Sequence, residues 1–184
     1  MPVWKALSIE HQLIERMMDL GREEVNRIRR ENTVDPAFLD TIIDFYLIYV
    51  IKTHNWKEEE ILIRDLAKKD MLEKDEKVME ELIQEHVFGR VIVSELAQAR
   101  ERYLNGDIIA VEIVARRLST MVQFYTKHIE KEDDIFFPAV IKYLSQEEKE
   151  SMLQEFMEFD RKMIHEKYNI AIETLKRRPR PENR

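Results

Sequence analysis

The sequence predicts an all-α protein: an up-down-up-down four-helix bundle with an additional C-terminal helix. Three observations carry this prediction. Only three glycines and five prolines occur in 184 residues rich in Glu, Lys, Leu and Ile, a composition that favours long uninterrupted helices. Apolar residues recur at three-, four- and seven-residue intervals, the period of an amphipathic helix. The breaks between these stretches are short, and short connections make consecutive helices antiparallel.

The first helix is expected over about 5–31, with Leu7, His11, Ile14, Met18, Val25 and Ile28 on one face. Asn32-Thr33-Val34 interrupts it. Asp35 then offers an N-cap, and Pro36 suits the first helical position. The second helix, about 36–69, carries Leu39, Ile43, Leu47, Val50, Ile51, His54, Ile61 and Leu62. The third, about 75–104, runs through Val78, Leu82, His86, Val93 and Leu96. Asn105-Gly106-Asp107 is a stop-and-restart signal. The fourth, about 108–143, carries Val111, Val114, Leu118, Met121, Phe124, Tyr125, His128 and Ile135, with a kink expected at Pro138. Ser145 followed by Glu148 is a capping box opening a fifth helix over 146–176. Residues 1–178 therefore read as one domain, with the bundle over 5–144 and the fifth helix packed outside it or across one end. Residues 179–184 read as a basic, disordered tail. No repeat with a fixed period is evident.

A net charge of −7 excludes a general nucleic-acid surface. The one basic cluster, Lys176-Arg177-Arg178-Pro179-Arg180-Pro181, reads as a solvated tail. The start, Met1-Pro2-Val3-Trp4-Lys5, lacks the apolar core of a signal peptide. No stretch approaches the roughly 20 apolar residues that span a bilayer. A cytoplasmic protein, monomer or homodimer, is expected. The absence of cysteine excludes disulfides, thiolate chemistry and iron–sulfur ligation. Any bound metal must be held by His, Asp, Glu or water, which suits iron, manganese or zinc.

Such residues are present at helical spacing. His54 and Glu58 stand four apart directly after the apolar run 45–51, and His128 and Glu132 repeat the arrangement. Residues four apart lie on one helix face. In an antiparallel bundle, residues equally distant from a shared turn lie at one height. His11 is 22 residues before Thr33 and His54 is 21 after it. With the next turns taken at Leu72 and Asn105, His86 falls within about one turn of both His54 and His128. A lone histidine on an apolar face is most often a satisfied core residue. Four at one level, with Glu58 and Glu132 beside them, reverse that expectation, because two buried carboxylates need compensating charge. Two ions fit better than one: His11 with His54, His86 with His128, and Glu58 and Glu132 bridging. Gly89, three residues after His86, either makes room for a small ligand or permits close helix packing. Tyr46, Tyr49 and Tyr125 read first as core and second as hydrogen-bonding or redox neighbours of the site. Glu59, Glu60 and Glu130 read as solvated. His165, 20 residues after Ser145, reads first as a surface or packing residue and second as an additional ligand.

These elements resemble the hemerythrin-like family, also called the HHE cation-binding domain. The matching residues are His11, His54-x-x-x-Glu58, Glu85-His86 and His128-x-x-x-Glu132, the last followed by Asp133-Asp134-Ile135-Phe136-Phe137-Pro138. The resemblance covers roughly residues 8–143, and its last motif is the most specific. It implies a four-helix bundle with two iron ions joined by an oxo or hydroxo bridge. Members bind or sense dioxygen, handle iron, or respond to nitric oxide or peroxide. Oxygen-carrying members have a second histidine four residues after the one in the third helix, where this chain has Arg90. Arg90 reads as ion-paired or solvent-facing. Those members also end on His-x-x-x-x-Asp, which makes Asp133 a competitor of Glu132; helical spacing favours Glu132.

The expected function is therefore binding or sensing of a small ligand such as dioxygen, or iron handling. Reduction of peroxide or nitric oxide is the alternative, and a metal-free helical interaction module is the second alternative. A ferritin-like site needs Glu three residues before its histidines; Ile51, Ile83, Tyr125 and Lys162 stand there instead. No His-Glu-x-x-His zinc motif occurs.

Overall fold

The computed structural model describes residues 3–176, and the side chains of residues 3–163. Five helices form the expected bundle, and no strand occurs among the described residues. They are α1 (Val3–Glu31), α2 (36–66), α3 (Glu73–Leu104), α4 (110–143) and α5 (Gln146–Lys176). The first four form the bundle, with α1 against α2 and α4, and α3 against α2 and α4. Helix α5 packs across α1 and the second half of α2. No helix among the described residues is long and apolar enough to cross a membrane. Residues 179–184 lie outside the described residues.

The expected caps form. The Asp35 carboxylate accepts from the backbone N–H groups of Ala37 and Phe38, at 2.9 and 3.3 Å. Ser145 Oγ accepts from Glu148 N at 3.2 Å while the Glu148 carboxylate accepts from Ser145 N at 2.8 Å. Gly106 has φ +85°, a left-handed turn position that suits glycine.

Two connections sit elsewhere than expected. Helix α2 ends at Leu66 and α3 starts at Glu73, so their turn centres near residues 69–70. Asp75 does not cap α3; its carboxylate accepts from the Tyr143 hydroxyl at 2.7 Å and Lys142 Nζ at 2.9 Å, joining α3 to the end of α4. Helix α4 starts at Ala110, because Ile108 and Ile109 form an exposed turn. That turn centres near Asp107, which places His86 and His128 equally far from it. The one-turn mismatch expected between their heights came from misplaced turn centres.

Helices α2 and α4 are also not uniformly α. Phe45–Asn55, Glu58–Ile63 and Glu132–Phe136 are π-helical, with hydrogen bonds reaching five residues back. Thr53 Oγ1 reinforces the wider spacing by donating to the Ile48 carbonyl at 2.8 Å. The change of phase turns Leu47 and Ile135 outward, against expectation, and Tyr46 and Phe136 inward. It also buries His54, Asn55, Lys57 and Glu58 together within five positions. Pro138 lies just after the last of these segments.

The apolar core is split in two. One cluster, including Ile14, Val50, Ile92 and Leu118, fills the end of the bundle bearing the α1–α2 and α3–α4 turns. The other, including Leu7, Leu62, Leu82 and Phe137, fills the opposite end and reaches Phe156 on α5. A polar layer lies between them.

Candidate metal centre

The layer consists of His11 from α1, His54 and Glu58 from α2, His86 from α3, and His128 and Glu132 from α4, all buried. All four histidines point Nε2 inward. His11 Nε2 lies 3.0 Å from His54 Nε2 and 3.1 Å from Glu132 Oε2. His86 Nε2 lies 3.2 Å from Glu58 Oε2 and 3.6 Å from Glu132 Oε1. His128 Nε2 lies 3.1 Å from Glu132 Oε1, and His54 Nε2 lies 3.6 Å from Glu58 Oε1. The side chains fall into two overlapping groups, His11/His54/Glu58/Glu132 and His86/His128/Glu58/Glu132, which share both carboxylates.

Each Nδ1 faces a different carboxylate. His54 Nδ1 is 2.9 Å from Glu10 Oε2, His86 Nδ1 is 2.8 Å from Glu59 Oε1, and His128 Nδ1 is 2.8 Å from Glu85 Oε2. His11 Nδ1 is 3.1 Å from Asp133 Oδ2. A carboxylate on one ring nitrogen keeps the proton there and leaves the other nitrogen's lone pair free, the usual support of a metal-bound histidine. These carboxylates are held in turn. Lys57 pairs with Glu10, Lys131 with Glu85, and Arg90 with Glu59 at 2.9 Å; the Ser8 hydroxyl donates to Asp133 at 2.6 Å.

The inward set is rich in acceptors and poor in donors. Both Glu58 oxygens, Glu132 Oε2 and the Nε2 atoms of His86 and His128 have no hydrogen-bond partner among the described residues. Acceptor lone pairs facing one another in a dry layer are destabilising unless a cation sits among them. The spacing fits cations. Donors about 2.1 Å from one ion lie about 3.0–3.4 Å apart at right-angle or tetrahedral positions, close to the observed separations. Without metal, protons must do the cation's work. Burial pulls the His11 imidazolium down, but Asp133 and Glu132 outweigh it and push it up to about 10. Burial likewise opposes the His128 charge, yet Glu132 and Glu85 raise it to about 9. Burial raises the Glu132 carboxyl, and His128, His11 and His86 together hold it well below the usual range.

The other candidates fall outside the inner layer. Asp133 lies against His11 Nδ1 and is not among the inward side chains, where Glu132 is. Arg90 is ion-paired. Glu59 is not solvated as expected, but lies between His86 and Arg90; Glu60 and Glu130 are exposed. The side chain of His165 lies outside the described residues. At Gly89 an added Cβ would meet the Tyr125 hydroxyl at 2.7 Å, so the glycine leaves room for that side chain.

Sequence reasoning missed Glu10, Lys57 and Lys131 and gave no role to Glu85. A signal for them exists. Glu10-His11 recurs 75 positions later as Glu85-His86, and His54, Lys57, Glu58, Glu59 recur 74 positions later as His128, Lys131, Glu132, Asp133. The two halves of the bundle thus repeat one ligand pattern, with periods that differ by one residue.

No curated protein and no solved structure gives a significant match. The family model described as hemerythrin HHE cation binding domain matches residues 3–140, which span α1 to α4 and every residue of the polar layer. The chain belongs to the hemerythrin HHE cation-binding domain family.

Proposed function

We propose that the layer holds two iron ions and that the protein binds or senses a small ligand such as dioxygen, or takes part in iron handling. One observation carries the reading: four histidine Nε2 atoms and two carboxylates converge, and every Nδ1 already faces a carboxylate. His11 and His54 would hold one ion and His86 and His128 the other, with Glu58 and Glu132 within reach of both groups. Bound there, iron(II) would supply electrons and open coordination positions for a small ligand. The chain provides the rest. Glu10, Glu59 and Glu85 fix the tautomers of His54, His86 and His128, and Asp133 lies 3.1 Å from His11 Nδ1. Lys57, Arg90 and Lys131 hold three of those carboxylates in place. The two apolar clusters keep water from the layer. The cytoplasm, where iron(II) is retained, is the compartment this reading implies.

Six protein ligands over two ions leave positions free. Arg90, held by Glu59, adds no donor to the His86/His128 half. That openness also admits reduction of peroxide or nitric oxide. Metal analysis of protein purified without oxygen, followed by air exposure and near-ultraviolet spectroscopy, tests the reading. About two irons per chain with a bridge-type charge-transfer band are expected. Metal-free protein, or metal content unchanged in His54→Ala and Glu58→Ala, contradicts it. Sustained turnover of peroxide or nitric oxide would decide for the enzyme.

A further inference from the structure

Two tyrosines belong to the first apolar cluster, and one of them, Tyr125, borders the polar layer at His128. Tyr46 on α2 and Tyr125 on α4 are buried, with ring centroids 4.8 Å apart. Neither hydroxyl has a hydrogen-bond partner among the described residues. Phenylalanine would fill the same space without burying an unpaired hydroxyl, so packing does not account for the oxygen.

The Tyr125 hydroxyl is placed by a specific gap. Its ring meets the His128 imidazole edge-on, at 6.0 Å and 89°. Its oxygen comes within 2.7 Å of the Cβ position that Gly89 leaves empty. Gly89 follows His86 by three residues, and Tyr125 precedes His128 by three. The hydroxyl therefore lies beside the His86/His128 half, the half to which Arg90 adds no donor.

We propose that Tyr125 is the hydrogen-bond donor to a small ligand bound at the His86/His128 half of the centre, with Gly89 as the residue that admits its hydroxyl. The ligand class is a small molecule with an exposed oxygen or nitrogen lone pair. The proposal rests on the two-metal reading above.

The test uses the full chain loaded with iron, oxidised in air and titrated with azide. Tyr125→Phe removes the hydroxyl, and Gly89→Ala displaces it. Both variants should keep the wild-type iron content. Both should bind azide about tenfold more weakly, the usual effect of losing one hydrogen bond to a charged group. Azide release from the wild type should also slow in deuterium oxide, and this sensitivity should vanish in both variants, which a purely structural change would not produce. Azide affinity and isotope sensitivity unchanged in Tyr125→Phe, at full iron content, would overturn the assignment and leave the two-metal reading intact. A wild type that takes up no iron would overturn both.

Discussion

The two halves of the polar layer share one inner geometry and differ in what lies behind it. The His11 and His54 rings meet at 4.7 Å and 66°, and the His86 and His128 rings at 5.0 Å and 67°. Behind His54, Glu10 is held by Lys57, which is only 1% exposed and also reaches Asp160 on α5 at 2.8 Å. Behind His128, Glu85 is held by Lys131, which is 26% exposed and also pairs with Glu81 at 3.3 Å. Trp56 stacks on Phe159 at 3.9 Å beside the first arrangement. A shared ligand pattern thus fixes the inner atoms, while among the described side chains α5 covers the lysine–carboxylate pair behind His54. Equivalent substitutions should have unequal effects.

The lysines should show the largest difference. Lys57→Ala strips a buried cation from two carboxylates and is expected to cost about 3 kcal/mol of stability. Lys131→Ala removes a surface cation and should cost about 0.5 kcal/mol. Urea denaturation of both variants measures the gap, and equal costs would mean that α5 does not insulate the first half. Next come the carboxylates that orient the imidazoles. Glu10→Ala and Glu85→Ala should each weaken metal binding by about 10- to 100-fold. The effect should be greater for Glu10→Ala, because it also takes one of two carboxylates from the buried Lys57. Competition with a chelator of known affinity ranks them.

A graded effect is expected of pH. Folding raises the His11 and His128 values above the ordinary 6.5, to about 10 and about 9. Their stabilisation of the metal-free chain is therefore fully present below pH 6.5 and is lost as pH rises through 9 to 10. In loaded protein protons compete with the ions, so metal-derived stability should grow over the same range. Denaturation midpoints at pH 6 and pH 9.5, with and without metal, should move in opposite directions; parallel movement would separate the histidines from the ions. The smallest effect belongs to Asp160→Ala. Its carboxylate is 44% exposed, so under about 1 kcal/mol is expected, with a shift in Trp56 emission as α5 loosens.

The bundle and the six inner residues were legible because both follow from one period. A histidine or glutamate at an apolar position of a helical stripe announces itself, and antiparallel counting sets its height. Glu10, Glu59 and Glu85 did not stand out. They lie at the edges of their stripes, and each has its histidine on another helix, so no local spacing links the pair. Leu47 and Ile135 turned outward because the wider turns of α2 and α4 break the 3.6-residue phase. Lys57, three residues after His54, falls at the edge of the inward face, where a lysine reads as solvated. The repeat at 74–75 positions holds the missing information. It escapes a fixed-period search because the α1/α3 and α2/α4 offsets differ by one residue.

The central claim is that Glu58 and Glu132 serve both ions. The most direct measurement is the iron content of full-length protein purified without oxygen, for the wild type and for the Glu58→Ala/Glu132→Ala double variant. The account predicts about two ions per wild-type chain and essentially none in the folded double variant, because neither histidine pair alone supplies the charge that an ion needs. Two ions retained without the carboxylates, or a single ion in the wild type, would contradict it.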